Sequence, residues 1–225
     1  MISDANKAVL YKAFNFWDKL SLSEQELIIN NSTLLHYKRG DNIYSGGRDC
    51  LGVLIIKNGG LRTYILSEDG REITLYRLKE EDICILSASC ILRNITFDVH
   101  IDAEVDTEII IVNATVFQKI CNHNIYAENF SNKVTVERFS DVMWSMEQIL
   151  FMSFDKRLAI FLLDEISRNG NDILTLTHEQ IAKYMGSARE VVSRMLKYFS
   201  NEGIVELSRG IVKVTDKKKL RKLTE

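Results

Sequence analysis

The sequence predicts an α+β chain: an N-terminal β-roll of jelly-roll type, one long helix, and a C-terminal winged helix-turn-helix. Three observations carry this expectation. Short apolar runs broken by glycine turns fill residues 34–112, a glycine-free apolar heptad pattern fills 124–153, and a capped helix, a glycine and a second helix follow from Thr177. The expected segments are a β-roll over 1–123, a long helix over 124–153 and the winged unit over 154–225.

Composition sets the outer bounds. The chain has 225 residues, of which 46% are apolar, enough for real cores. No run reaches the roughly 18 apolar residues of a membrane span, and residues 1–16 carry Asp4 and no secretory-type apolar stretch. The expected location is therefore the cytoplasm, with no membrane partner. There the four cysteines, Cys50, Cys84, Cys90 and Cys121, would be reduced, acting as core residues or sensors.

Net charge is −2, but it is unevenly placed. Residues 177–225 hold 11 Lys+Arg against 6 Asp+Glu, whereas residues 1–176 hold 18 against 25. An acidic body with a basic C-terminal module suits a phosphate-rich partner, because Lys and Arg displace the counterions of DNA.

In the roll, Leu51 to Lys57 and Leu61 to Leu66 flank Asn58-Gly59-Gly60, a hairpin signal, since Asn-Gly accepts positive φ at both central positions. Ser67-Glu68-Asp69-Gly70 gives a second turn leading into Ile73 to Leu78. In the long helix, Val136, Phe139, Met143, Met146 and Leu150 follow the 3-4-3-4 spacing of a coiled-coil seam. Val142 and Ile149 widen the stripe, which can face a second copy or pack within one subunit. A further amphipathic helix is expected over Phe154 to Ser167, and a polar loop over 168–172.

Thr177-His178-Glu179-Gln180 has the form of a capping box, with Leu176 and Ile181 as its hydrophobic staple. The helix it starts stops at Gly186, and a second helix runs from near Ala188 to near Gly203. Val192, Met195, Leu196 and Phe199 form the buried face of that helix. Ser187, Arg189, Glu190, Ser193, Arg194 and Lys197 are the expected DNA-facing set. Arg can bridge guanine O6 and N7, and Glu can accept from cytosine N4. Ile204 to Leu207 and Ile211 to Val214 form the wing, with Arg209 and Lys213 expected near phosphates.

Gly186-Ser187-Ala188-Arg189-Glu190-Val191-Val192-Ser193-Arg194, followed by Asn201-Glu202-Gly203-Ile204-Val205, resembles the recognition helix of the CRP/FNR family of bacterial regulators. The resemblance covers nearly the whole chain, roll and long helix included. It implies a sequence-specific transcription regulator, not an enzyme, that binds double-stranded DNA as a homodimer through a near-palindromic site and works with RNA polymerase. Its half-sites would lie about 34 Å apart. In the cyclic-AMP-binding branch, the Arg, Glu and later Arg of this motif read a TGTGA-type half-site. Arg189, Glu190 and Arg194 match them, while Ala188 replaces the usual serine.

The effector side departs from the family. Cyclic-nucleotide members carry a Gly-Glu pair and then Arg-Ser/Thr, and the corresponding stretch here is Asp82 to Ser89, without Gly-Glu. A gapless count places Phe97 and Asp98 where the phosphate-binding pair belongs, and Val142 and Met143 where the long helix presents hydroxyls. Replacing a phosphate-binding cation by an aromatic ring beside a carboxylate turns attraction into repulsion, which argues against cyclic AMP. No cysteine precedes Cys50, which argues against the iron-sulfur cluster of the oxygen-sensing members.

The effector or redox candidates are Cys84, Cys90, Ser87, Ser89, Phe97 and Met143. Cys84 and Cys90 read as a redox pair, as metal or haem ligands, or as two buried small hydrophobes. Met143, Trp144, Met146 and Phe97 read as a pocket for an apolar effector or as plain core and seam. His36, His100 and His123 show no ligand spacing, and no metal motif appears. An effector-independent regulator and a cyclic-nucleotide-binding signalling module without DNA contact are the alternatives. An enzyme with Cys84 or Cys90 as nucleophile lacks a residue to activate either thiol.

Overall fold

The structure, a computed structural model, describes residues 2–46, 50–85 and 98–225. It divides into two compact units, residues 1–65 with 75–143, and residues 66–74 with 144–225.

The first unit begins with two helices outside the expected pattern, α1 (Asp4–Ala13) and α2 (Leu22–Asn30), joined by a 3-10 turn at Trp17–Lys19. Each starts at a serine cap. Ser3 accepts from the Asn6 N–H, and at α2 Ser21 and Glu24 close a full capping box. Phe14 and Trp17 sink into a core shared with α3 (Ala114–His123) and the first turns of α4 (Ile125–Phe151).

Among the described residues the roll forms two four-stranded sheets. One has the order β1 (Ser32–Tyr37), β8 (Thr107–Val112), β3 (Val53–Asn58), β6 (Ile83–Cys84). The other has the order β2 (Asn42–Ser45), β7 (His100–Ala103), β4 (Gly60–Leu66), β5 (Glu72–Lys79). β3 and β8 read as continuous apolar runs because both their faces are covered. Val53, Ile55, Ile110 and Val112 face the helical core, and Leu54, Ile56, Ile109 and Ile111 face the roll interior.

The Asn58-Gly59 expectation needs correction. β3 and β4 lie in different sheets, so this turn is a corner, not a two-stranded hairpin. Gly59 takes φ +98°, and a Cβ there would lie 2.4 Å from Thr107 Oγ1. The Ser67–Gly70 turn does join neighbouring strands, β4 and β5, with the Gly70 N–H donating to the Ser67 carbonyl at 2.9 Å.

The second unit carries α5 (Phe154–Asn169), β9 (Ile173–Leu174), α6 (His178–Met185), α7 (Arg189–Asn201), β10 (Val205–Ser208), β11 (Ile211–Val214) and α8 (Lys217–Lys222). Gly170, at φ +62°, ends α5. The wing is three-stranded, β10-β11-β9, because Leu174 pairs with Val212. Leu158, Leu162, Val192, Leu196 and Phe199 have no exposed surface and lock α5 against the helix pair. Burying a side chain such as Phe199 stabilises by about 1.5–3 kcal/mol.

Candidate nucleic-acid interface

Local chemistry sets the start and stop of α6. Thr177 Oγ1 accepts from the Gln180 N–H at 3.2 Å, and Gln180 Oε1 accepts from the Thr177 N–H at 2.8 Å. At the other end Gly186 takes φ +58°, the left-handed cap, and the Ser187 N–H donates back to the Ala182 carbonyl at 2.9 Å. The chain thereby turns within three residues and starts α7 at Arg189. Ala188 supplies no side-chain cap to α7.

Helical spacing then sorts α7 by face. Val192, Leu196 and Phe199 are buried and Met195 packs at their edge, as expected. Arg189, Glu190, Arg194 and Lys197 are exposed. Glu190, Arg194 and Lys197 form one stripe at spacings of four and three, with Arg189 beside it at the N-terminus. Arg189, Arg194 and Lys197 carry no ion pair among the described residues. Their donors stay available to a partner.

Two expected members sit differently. Ser193 is half-buried, with its hydroxyl 2.8 Å from His178 Nδ1, so it ties α7 to α6 instead of facing outward. Ser187 is half-buried in the turn. On the wing Arg209 is exposed in the turn before Gly210, which takes φ +71°. Lys213, read as a phosphate contact, pairs across the strands with Glu206 at 2.9 Å.

Cations also gather behind the turn. Arg157 Nη1 donates to the Met185 carbonyl at 3.5 Å and stacks over Phe154 at 5.4 Å. The Lys183 ammonium lies 3.1 Å from Glu72. Lys183 and Glu72 are 111 residues apart in the chain, and no local sequence signal joins them.

Of the effector candidates, Ser87, Ser89, Cys90 and Phe97 lie outside the described residues. Cys84 sits in β6 opposite Leu54 with no exposed surface, so an oxidant reaches its thiol only if the roll opens. The buried Tyr76 hydroxyl lies beside it, held well above the usual tyrosine range by burial and then by Cys84. Met143 is 45% exposed on α4. Among the described residues no group of three His, Cys, Asp or Glu could hold a metal. His36 pairs instead with Glu108 at 2.9 Å, and His100 stacks on Tyr64.

Along α4, Ala127, Phe130 and Val134 are buried in the first unit, but the expected seam beyond them is bare. Val136, Phe139, Met143, Met146 and Leu150 are 45–65% exposed. Val142 packs at the edge of the roll core. No helix among the described residues is long and apolar enough to cross a membrane.

Comparison with known proteins agrees with this geometry. Residues 156–223 match the Crp-like helix-turn-helix domain, and residues 34–124 match the cyclic nucleotide-binding domain. A solved transcriptional regulator of the crp/fnr family from Eubacterium rectale ATCC 33656 is 48% identical. The match covers 94% of this chain and 98% of that one at a TM-score of 0.91. The chain belongs to the CRP/FNR family. This CRP/FNR member is also 25% identical to the lactate racemization regulatory protein of Lactiplantibacillus plantarum, over 67% of this chain and 72% of that protein. A CRP/FNR regulator from Thermus thermophilus shares the fold, at 19% identity and a TM-score of 0.69, over 85% of this chain and 98% of that one. As a CRP/FNR member the chain is a DNA-binding transcription regulator, built from a cyclic-nucleotide-binding-like domain and a helix-turn-helix.

Proposed function

We propose that the chain works in the cytoplasm as a homodimer that reads a near-palindromic, TGTGA-like site and answers to an effector other than a cyclic nucleotide, or to a redox signal. One observation carries the reading. Arg189, Glu190 and Arg194, which match the base-reading positions of the cyclic-AMP-binding branch, are all exposed at the start of α7, and neither arginine is held in an ion pair among the described residues. Arg pairs with guanine and Glu with cytosine, so the three together specify a G/C-containing half-site. Arg209 and Lys197 supply phosphate contacts, which hold the helix in register without reading sequence.

The bare stripe from Val136 to Leu150 supports a second copy as partner, because a lone subunit would leave that apolar row in water. In a dimer two α7 helices enter successive major grooves, which calls for a palindrome. Residues 1–123 are the sensing segment in this reading, 124–153 the dimerisation helix and 154–225 the DNA-binding segment. RNA polymerase is the expected partner on promoter DNA.

The departure from the cyclic-nucleotide pattern at Phe97 and Asp98 supports the effector reading. A small molecule held by the roll would act by favouring one arrangement of the DNA-binding units over another.

Selection of binding sites from random duplex DNA tests the whole reading. The purified chain is used at fixed salt, under reducing and under mildly oxidising conditions, with Arg189→Ala in parallel. A palindromic TGTGA-like motif, lost in Arg189→Ala, is expected. Its appearance in one redox state only would assign the signal to the cysteines, and equal enrichment in both would point to a small molecule. No enriched motif in any condition, or one unchanged in Arg189→Ala, overturns the reading.

A further inference from the structure

The loop between β4 and β5, taken with the first residue of β5, reads Ser67-Glu68-Asp69-Gly70-Arg71-Glu72, three carboxylates and one guanidinium. Residues 66–74 belong to the same compact unit as the helix-turn-helix. Contacts from this loop and the start of β5 tie it to α6 and the turn that follows. Glu72 Oε1 lies 3.1 Å from Lys183 Nζ. The Arg71 guanidinium donates to the Gly186 carbonyl. Thr74 Oγ1 donates to the Lys183 carbonyl at 3.5 Å. Ile73 Cγ1 lies 3.1 Å from where a Cβ on Gly186 would stand, so the loop packs against the glycine itself. Between loop and turn runs a groove whose walls include Gly70, Arg71, Glu72, Lys183, Ser187 and Arg189.

The last carbonyls of a helix lack partners and carry partial negative charge, so a cation is welcome there. Two arrive. Arg71 takes the Gly186 carbonyl and Arg157 the Met185 carbonyl, and the Arg157 guanidinium holds its proton less tightly through burial and then through the charge of Arg71. The loop is thus held at the helix end by Arg71, beside a second cation, Arg157.

We propose that this acidic loop is an autoinhibitory latch on the DNA-reading helix. Docked, it pairs Glu72 with Lys183 and lines one groove with Ser187 and Arg189. The loop and Arg189 line one groove, so phosphates entering that groove to reach Arg189 meet the loop's carboxylates. Glu68 and Asp69 are exposed and would repel those phosphates. The loop's single cation, Arg71, donates to the Gly186 carbonyl at the helix end. Strands β4 and β5 are continuous with the loop, so a change in the roll can be carried to the latch along the chain. The inference rests on the proposed role of Arg189 in reading DNA.

The test uses the full chain and a duplex bearing the selected site, at fixed salt. The variant Glu68→Gln/Asp69→Asn/Glu72→Gln is compared with the unmodified chain and with Arg189→Ala, and backbone amide exchange of residues 66–74 and 183–187 is followed with and without DNA. The latch predicts operator binding about tenfold tighter in the triple variant. It also predicts faster exchange of residues 66–74 in the unmodified chain when the operator binds. Unchanged or weaker binding by the triple variant overturns the latch. So does tighter binding with no change in loop exchange, which reduces the effect to general charge, or added protection of the loop on DNA, which makes it a contact. If neither chain prefers the site over random duplex and Arg189→Ala alters nothing, the DNA-reading assignment itself has failed.

Discussion

His178 Nδ1 lies 2.8 Å from the Ser193 hydroxyl, joining the first residue of α6 to the middle of α7. The bond fixes the crossing of the two helices that position Arg189. Ser193→Ala removes it and leaves the imidazole to water. A hydrogen bond of this kind contributes about 1 kcal/mol net. Ser193→Ala should therefore lower unfolding free energy by about that amount in urea titration, with far less loss of operator affinity than Arg189→Ala. Equal loss of specific binding with unchanged stability would instead make Ser193 a DNA contact.

The same imidazole makes the unit sensitive to acid. Burial first, and the nearby Arg189 charge second, hold the His178 pKa below the ordinary histidine value of 6.5. A depressed histidine pKa means that the unfolded chain binds the proton more readily. The stability contributed by neutral His178 is then complete above about pH 6.5 and is lost as pH falls through the folded-state value. Thermal midpoints measured from about pH 8 down to about pH 5 should fall more steeply for the unmodified chain than for His178→Gln. Parallel curves would remove His178 from the account. The ring is only partly buried, so the difference is expected to be small.

What the sequence makes legible follows from how local each cause is. The Thr177/Gln180 box, Gly186 and the 3-4 spacing of Val192, Leu196 and Phe199 act within one or two turns, and the structure reproduces them residue by residue. The Ser21/Glu24 box is equally local, and it marks α2 as plainly as Thr177 marks α6. Asn58-Gly59 is also local, but turn chemistry does not say which sheet receives the next strand. Ser193 lies on the same helical side as the reading stripe, and only the position of His178 shows that it is engaged. The Glu72–Lys183 pair is non-local altogether.

Two glycines separate backbone cost from packing cost. Gly170 and Gly186 both cap helices in the left-handed region, at φ +62° and φ +58°. A Cβ at Gly170 meets open space, whereas one at Gly186 stands 3.1 Å from Ile73 Cγ1. Placing alanine in that region costs about 1–2 kcal/mol. Gly170→Ala should show that cost alone in chemical denaturation. Gly186→Ala should show it plus the displacement of Ile73, and hence a larger loss. Equal losses would mean that Ile73 yields freely.

The apolar row on α4 yields the last prediction. Phe139 is 63% and Leu150 65% exposed, while Phe130 and Val134, earlier on the same helix, are buried in their own unit. One helix thus carries an inward part that the subunit fills and an outward part that it does not. Burying a Phe or Leu side chain stabilises by about 1.5–3 kcal/mol, so a row of five supplies ample driving force for a second copy. A carboxylate in that seam would lose its hydration without gaining a partner. Phe139→Asp/Leu150→Asp should therefore sediment as a monomer at concentrations where the unmodified chain is a dimer. Because both positions are open to water in the single subunit, the variant should keep its fold, and its melting point should no longer rise with protein concentration. Specific operator affinity should fall with the loss of the second reading helix. A variant that stays dimeric would move the interface off this stripe, and an unmodified chain that is itself monomeric would remove the homodimer from the proposed function.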